Sequence, residues 1–180
     1  MLIAMAGLPG SGKSTIAEGI ARSLGCALLS VDPIEAAMWR AGIHREQPTG
    51  VAAYVVAEDL AREQLVLGND AIVDAVNDVD AARGQWTSLA AELGQKVVFI
   101  EVYCSDETAH RRRLEGRNRA LVGFPEPTWE SVVTRGAGFE AWDAPRLRLD
   151  SMRSVDENVA TALEHLDRNR MRDSSSGQGC

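Results

Sequence analysis

Short apolar runs alternate along the chain with longer segments in which apolar residues recur every three or four positions. The runs are rich in Val, Ile and Leu and have the length of buried strands, whereas the periodic segments are typical of amphipathic helices. The runs that predict strands are residues 2–6, 27–31, 71–76, 97–102 and 146–149. The segments that predict helices are residues 14–24, 34–41, 51–67, 79–93, 106–116, 128–140 and 155–166. This alternation predicts an α/β fold with a parallel sheet covered on both faces, and ligands at the carboxyl ends of its strands.

The length and composition fit one domain. A chain of 180 residues, 45% of them hydrophobic, can bury one sizeable core, and we expect the domain to occupy residues 1–169. Residues 117–127 contain Gly and Pro and predict an irregular segment. Residues 170–180 are rich in Ser and Gly and predict a disordered tail.

A phosphate-binding motif follows the first predicted strand. Residues 7–14 read Gly-Leu-Pro-Gly-Ser-Gly-Lys-Ser and satisfy the pattern GxxxxGK(S/T) between a strand and a helix. The glycines let backbone N–H groups converge on phosphate oxygens at the positive end of the helix, and Lys13 adds a charge. The Ser14 hydroxyl is a predicted ligand of Mg²⁺. The predicted nucleotide-binding residues are Gly7, Leu8, Pro9, Gly10, Ser11, Gly12, Lys13, Ser14 and Thr15.

The charge and the cysteines narrow the class of protein. A net charge of −7 disfavours a protein that wraps nucleic acid and favours small-molecule partners. Three cysteines without metal-binding spacing indicate a reducing compartment. The sequence has no apolar run long enough for a membrane span, and a motif that begins at Gly7 leaves no room for a signal peptide, so we expect a cytoplasmic protein.

Two aspartates follow predicted strands. Asp32 ends the second strand, where it could accept the proton of an acceptor hydroxyl as a general base or merely cap the helix that begins at Pro33. Asp74 lies at the end of another strand and is a candidate for orienting Mg²⁺ through water or for binding the acceptor. A purely structural carboxylate is the alternative at both positions.

A basic cluster occupies residues 110–119, with six positive side chains in ten residues. Arg113 and Arg117 are four residues apart and would share a helical face, which suits a lid at about residues 113–127 that closes over the triphosphate. An exposed helix face and a patch for a polynucleotide backbone are the alternatives. The second is weakened because no aromatic residues suited to base stacking are interleaved with the arginines.

Several apolar and aromatic residues are candidates for an acceptor pocket, although such residues at helical spacing also fit a hydrophobic core. They are Met38, Trp39, Tyr54, Val76, Phe124 and Trp129.

With these motifs the chain resembles the small P-loop kinases that include chloramphenicol phosphotransferases, gluconate kinases and zeta-toxin-like enzymes. The resemblance covers about residues 2–166 and rests on the phosphate loop with Lys13, on Asp32, on Arg113 and Arg117, and on the stretch 139–142. It implies a P-loop NTPase fold of the nucleoside-monophosphate-kinase type, with a five-stranded parallel sheet of order 2-3-1-4-5. It also implies ATP as donor, Mg²⁺, a small-molecule alcohol as acceptor and Asp32 as general base.

The sequence therefore predicts an ATP-dependent O-phosphotransferase that acts on a hydroxylated metabolite or antibiotic. Lys13, Asp32, Arg113 and Arg117 are the predicted catalytic residues. A nucleoside or nucleotide kinase remains an alternative, as does, more distantly, a polynucleotide end-processing kinase or a nucleotide-binding module. A GTPase switch is disfavoured because neither Lys13 nor Lys96 follows an asparagine, as the guanine-specific Asn-Lys-x-Asp motif requires. A homodimer is left open.

Overall fold

The computed structural model describes residues 1–117 and 126–176. The strands are β1 (Leu2–Ala6), β2 (Ala27–Ser30), β3 (Ala71–Asp74), β4 (Val97–Tyr103) and β5 (Leu147–Asp150). The helices are α1 (Lys13–Leu24), α2 (Val31–Arg40), α3 (Thr49–Val66), α4 (Asp80–Glu92), α5 (Glu107–Glu115), α6 (Trp129–Glu140) and α7 (Val155–Ser176). Each predicted strand and helix is therefore present.

The five strands form one parallel sheet in the order β2-β3-β1-β4-β5. This confirms the predicted P-loop NTPase fold. Asp74 is in register with Met5 of β1 and with Ser30 of β2, so the carboxyl ends of β1, β2 and β3 lie side by side. The loop after β1, the start of α2 and the end of β3 consequently meet at one edge of the sheet.

Each face of the sheet buries its own apolar cluster. Leu2 and Ala4 of β1 pack on one side with residues of α3 and α4, including the fully buried Trp86. Ile3 and Met5 point to the other side and pack with α1 and α7. Burial of a Leu or Ile side chain contributes about 1.5–3 kcal/mol, so these central strands hold the sheet edge rigidly.

Helix α2 begins earlier than the sequence predicted. Its first residue is Val31, which the apolar pattern had placed in β2, and Ser30 precedes the helix with an extended backbone. Asp32 is thus the second residue of α2 and does not cap a helix that starts at Pro33. Pro33 still lies in the first turn, where its missing N–H has no partner to lose.

The last helix is longer than predicted. Helix α7 continues to Ser176, whereas the sequence predicted a domain end at residue 169 and a disordered tail over 170–180. Arg170 explains part of this difference, because its guanidinium binds the Asp70 carboxylate and secures the end of α7 against the chain before β3. Residues 177–180 lie outside the described residues. In the described part of the chain, every helix is too short or too polar to cross a bilayer.

Candidate functional site

The phosphate-binding motif forms the loop between β1 and α1. Gly7, Gly10 and Gly12 have backbone φ angles of 147°, 83° and 92°, a region that residues with a Cβ rarely enter. A Cβ on Gly7 would also overlap the carbonyl oxygen of Val102. The sequence therefore requires glycine here to turn the chain close against β4. The first turn of α1 has no acidic residue, so the positive end of the helix faces the loop without a competing carboxylate.

This loop borders a cleft of about 260 Å³, which we call the phosphate cleft. Its lining residues are Leu8, Pro9, Gly10, Gly12, Lys13, Ser14, Thr15, Asp32, Val76, Arg113 and Arg117. Seven of the nine predicted loop residues line it. The other two do not line the cleft: Ser11 is buried, and Gly7 packs against Val102.

Lys13 and Asp74 form an ion pair between the phosphate loop and the end of β3. Their side chains are only 11% and 5% exposed. Burial alone raises the pKa of Asp74, but the Lys13 ammonium and hydrogen bonds from Lys13 and Ser14 outweigh it and hold that pKa below its ordinary value. Asp74 is therefore a carboxylate at neutral pH, next to the Ser14 hydroxyl.

His110 holds the phosphate loop from α5. Its ring nitrogen Nε2 lies 2.9 Å from the Pro9 carbonyl oxygen, and because a carbonyl can only accept, Nε2 carries the proton. The His110 side chain is buried, and the Trp129 ring meets it edge to face. His110 belongs to the predicted basic cluster of residues 110–119, but it does not fit the alternative of an exposed helix face, because its side chain is buried against the phosphate loop.

The basic cluster divides into inward and outward residues. Arg113 lines the phosphate cleft and donates to the hydroxyl of Ser151 at 2.8 Å and to its carbonyl at 3.2 Å. Arg117 also lines the cleft and lies 3.6 Å from the Glu126 carboxylate. Arg111, by contrast, pairs with Glu115 on the exposed face of α5.

The predicted helical face explains Arg113 but not Arg117. Helix α5 ends at Glu115, so Arg117 reaches the cleft from the turn that follows the helix. The rest of the predicted lid falls largely on residues 118–125, which lie outside the described residues.

A second, larger cavity of about 840 Å³ adjoins the phosphate cleft, and we call it the acceptor cavity. Pro9, Asp32, Val76 and Arg117 line both spaces. Asp32 does not act as the side-chain cap of α2, because Ser30 occupies that position. Its place on α2 instead puts the carboxylate at the junction of the two spaces.

The structure brings part of the predicted acceptor pocket together. Asp32, Trp39, Tyr54 and Val76 line the acceptor cavity. The described residues that line this cavity do not include Met38, Asp74 or Trp129.

Each of these three residues has another neighbour. Met38 packs against the core, Asp74 binds Lys13, and Trp129 packs on His110. Met38 and Trp129 have the apolar character of pocket residues, but helix packing turns them toward other neighbours. Phe124 lies outside the described residues.

Tyr54 is fixed in the cavity wall by Asn77. The Asn77 backbone N–H lies 3.4 Å from the Tyr54 hydroxyl oxygen, and the Asn77 side chain is buried between Met5 and Trp86. Asn77 has a φ of 55°, an unusual value for a residue other than glycine. Burial, together with the nearby Asp78 and Asp32, raises the pKa of Tyr54 to about 12. The phenol therefore keeps its proton at neutral pH.

Sequence reasoning missed several polar residues of the acceptor cavity. They are Glu35, Asp78, Gln85, Glu126, Thr128, Ser131 and Arg135. Only Glu35 had a local signal, since it lies three residues after Asp32 on the same helix and so on the same face. Asp78 and Arg135 are far apart in sequence, and only the packing of α6 brings them within 3.8 Å.

Residues 2–157 match the family described as AAA domain. A shikimate kinase of Corynebacterium glutamicum is 30% identical over 176 residues, which cover 92% of this chain and 96% of that protein. Among solved structures, the APS kinase of Mycobacterium tuberculosis in complex with AMPPNP and APS has a TM-score of 0.66 at 19% identity and covers 92% of this chain and 96% of its own. A gluconokinase of Sinorhizobium meliloti 1021 has a TM-score of 0.66 at 18% identity, with 97% and 95% covered.

Proposed function

The chain belongs to the AAA domain family and to the small P-loop kinases, and we propose that it transfers the γ-phosphate of ATP to a hydroxyl of a small molecule. One observation carries this proposal. Asp32 lies on the wall shared by the phosphate cleft and the acceptor cavity, where a hydroxyl and a γ-phosphate would meet. The names of the relatives, which are kinases for shikimate, gluconate and APS, support the same type of reaction.

The proposed chemistry is an in-line displacement. The acceptor oxygen forms a bond to the γ-phosphorus, the bond from that phosphorus to the β–γ bridging oxygen breaks, and ADP leaves. The acceptor hydroxyl gives its proton to the Asp32 carboxylate, which lies on the acceptor side of the phosphate cleft. The hydroxyl proton becomes acidic only as the oxygen bonds to phosphorus, and the carboxylate takes it up at that stage.

The phosphate cleft supplies positive charge to the transferred group. The loop N–H groups and Lys13 bind the β- and γ-phosphates in this proposal, and Arg113 and Arg117 line the same space. Such fixed charges stabilise the transition state because they do not have to reorient as charge shifts during transfer.

Ser14 and Asp74 fit a magnesium site. Mg²⁺ prefers oxygen ligands and is commonly held by one or two carboxylates together with substrate phosphates. The Ser14 hydroxyl lies close enough to the Asp74 carboxylate to help lower its pKa. In this proposal Ser14 holds the ion directly and Asp74 through water. When bound, the ion neutralises charge on the β- and γ-phosphates.

The shape and lining of the acceptor cavity support a small organic acceptor. At about 840 Å³ it has the size of a small-molecule site, and its walls combine aromatic and apolar residues with a few carboxylates. A nucleoside kinase would share every part of the phosphate cleft, so a test of the acceptor must include nucleosides.

The test is an ATP-consumption screen over hydroxylated metabolites, nucleosides and antibiotics, with each hit checked by mass spectrometry for a phosphorylated product. We expect one acceptor class to raise ATP turnover well above the rate without acceptor. Lys13→Ala should abolish the product. ATP binding without phosphoryl transfer to any hydroxyl would contradict the proposal.

A further inference from the structure

Glu35 of α2 belongs to a fixed chain of hydrogen bonds in the acceptor cavity. The indole N–H of Trp39 donates to the Thr49 hydroxyl at 2.9 Å, and that hydroxyl donates to the Glu35 carboxylate at 2.8 Å. Thr49 is buried, and Glu35 and Trp39 line the cavity. The carboxylate and the indole are thereby held together as a rigid pair.

Of the three other described carboxylates that line this cavity, Asp32 is the proposed general base and the remaining two lie near arginines. Asp78 lies 3.8 Å from Arg135, and Glu126 lies 3.6 Å from Arg117. Across residues 1–117 and 126–176, Glu35 accepts from the Thr49 hydroxyl and forms no ion pair with a lysine or arginine. Glu35 thus contributes negative charge to a largely apolar wall, and the Thr49 hydroxyl that donates to it is uncharged.

Glu35 also has a defined position relative to the proposed reaction. It is three residues after Asp32 on α2, so both carboxylates lie on the same face of the helix, about 5–6 Å apart at their Cβ atoms. Gly50 lines the cavity next to Glu35 and has no side chain to cover it. A ligand whose hydroxyl reaches Asp32 therefore places its neighbouring groups against Glu35.

A partly buried carboxylate that forms no direct ion pair within the described residues gains most from a ligand that brings a positive charge to it. The neighbouring Trp39 ring already attracts one cation, since the Arg45 guanidinium lies 4.6 Å from its centre, and organic cations are attracted to such rings in the same way. We infer that the acceptor carries a positively charged amino group close to its reactive hydroxyl, and that Glu35 binds this amino group. This inference rests on the proposed kinase function.

A positively charged acceptor differs from the substrates in the names of the similar kinases. Shikimate, gluconate and APS are anions, and an anion placed against Glu35 would meet like charge. A protonated amine forms a charge-assisted hydrogen bond with the same carboxylate, roughly twice as strong as a neutral one. The preference for an acceptor with an amino group therefore rests on the Glu35 side chain and not on the fold.

The experiment compares hydroxylated compounds of related carbon skeleton that carry an amine, a neutral amide or a carboxylate. Two matched sets are phenylalaninol, N-acetylphenylalaninol and 3-phenyllactate, and glucosamine, N-acetylglucosamine and gluconate. Phosphorylated product is measured for each with wild-type protein, with Glu35→Gln and with Glu46→Gln, an exposed control on the loop before α3. Glu35→Gln keeps an oxygen that accepts from Thr49, so the fold should persist.

We expect an amine to be the best member of a set, and Glu35→Gln to lower its kcat/KM about 10- to 100-fold through KM. The KM for ATP and the activity of Glu46→Gln should match wild type. A preference for the acetylated or carboxylate member, or an unchanged Glu35→Gln, overturns the amino-group assignment and leaves the kinase proposal standing. Absence of product from every compound, in a protein that binds ATP, overturns the amino-group assignment. Only absence of product across the wider screen overturns the kinase proposal as well.

Discussion

The Lys13 ammonium binds the Asp74 carboxylate, and so the lysine of the phosphate loop is tied to the end of β3. The two residues are distant in sequence, but β1 and β3 are neighbours in the sheet, which brings the ends of both strands together. An incoming phosphate must share the lysine with Asp74. This pair links the fold of the central strands to the chemistry proposed for the cleft.

The pair predicts a pH-dependent contribution to stability. The pKa of Asp74 lies below its ordinary value of about 3.9. Its contribution is therefore fully present above about pH 4 and is lost as the pH falls through the lower pKa of the folded state. We expect Asp74→Asn to lower the free energy of unfolding at pH 7 by about 3–5 kcal/mol, because Lys13 loses its partner.

Urea unfolding at pH 7, 5 and 3.5 measures this effect. The difference between wild type and Asp74→Asn should begin to narrow at the lowest pH, because Asp74 becomes protonated in the unfolded chain there while the folded protein still holds it as a carboxylate. Asp59→Asn, an exposed position on α3, should follow wild type throughout. A difference in unfolding free energy that stays constant over this pH range would show that loss of the ion pair does not cause the destabilisation by Asp74→Asn.

The chain contains two lysines, which provide a matched pair of variants. Lys13→Ala removes the charge proposed to bind the β- and γ-phosphates and should lower phosphoryl transfer by about 100-fold or more. Lys96→Ala removes a hydrogen bond to the Asn169 carbonyl, and because Lys96 does not line the phosphate cleft, this variant should keep wild-type turnover. Transfer rates and circular dichroism of both variants form the test. A folded Lys13→Ala protein with wild-type turnover would refute the phosphate-cleft assignment.

The arginines of the phosphate cleft should act mainly on the transition state. Arg117→Ala is expected to lower kcat about 10- to 100-fold while the Kd for ADP changes less than about three-fold. Arg113→Ala should also weaken nucleotide binding, since it releases the turn at Ser151. Arg112→Ala, an exposed neighbour on α5, is the control. Equal kcat values for Arg117→Ala and Arg112→Ala would favour a merely solvated arginine.

Local patterns were sufficient to predict an α/β fold with a parallel sheet and to predict the phosphate loop. The residues of the loop are contiguous, and the strand before it and the helix after it have clear periodicities. The boundary between β2 and α2 was less certain, because Val31 suits a strand as well as the first turn of a helix. Its packing in the folded protein decides between the two, and Val31 begins α2. The sheet order came from the family resemblance.

The acceptor cavity could not be assembled from the sequence because its walls come from α2, α3, α4 and α6. A Trp or Met on an amphipathic helix can pack into the hydrophobic core or line an apolar cavity, and the sequence does not distinguish these two positions. Trp39 lines the cavity, whereas Met38, its neighbour in sequence, packs into the core. His110 shows the same limit, since the pattern of charges gave no sign of its bond to Pro9.

Asp32 carries the central claim, and a matched pair of helix positions isolates it. Asp32 is the second residue of α2, and Asp156 is the second residue of α7, so each carboxylate interacts favourably with the positive end of its helix. Asn substitution at either position should lower stability by less than about 1 kcal/mol. A difference in activity between the two variants therefore reflects the chemistry of Asp32 and not the loss of a favourable charge at a helix N-terminus.

The most direct measurement is the kcat of Asp32→Asn for phosphoryl transfer to the acceptor found in the screen, compared with Asp156→Asn. The amide cannot take up the hydroxyl proton, so we predict a folded, ATP-binding Asp32→Asn protein whose kcat is lower by about 10²- to 10⁴-fold. Asp156→Asn should retain wild-type activity. An Asp32→Asn protein within a few-fold of wild type would contradict the role of Asp32 as the general base.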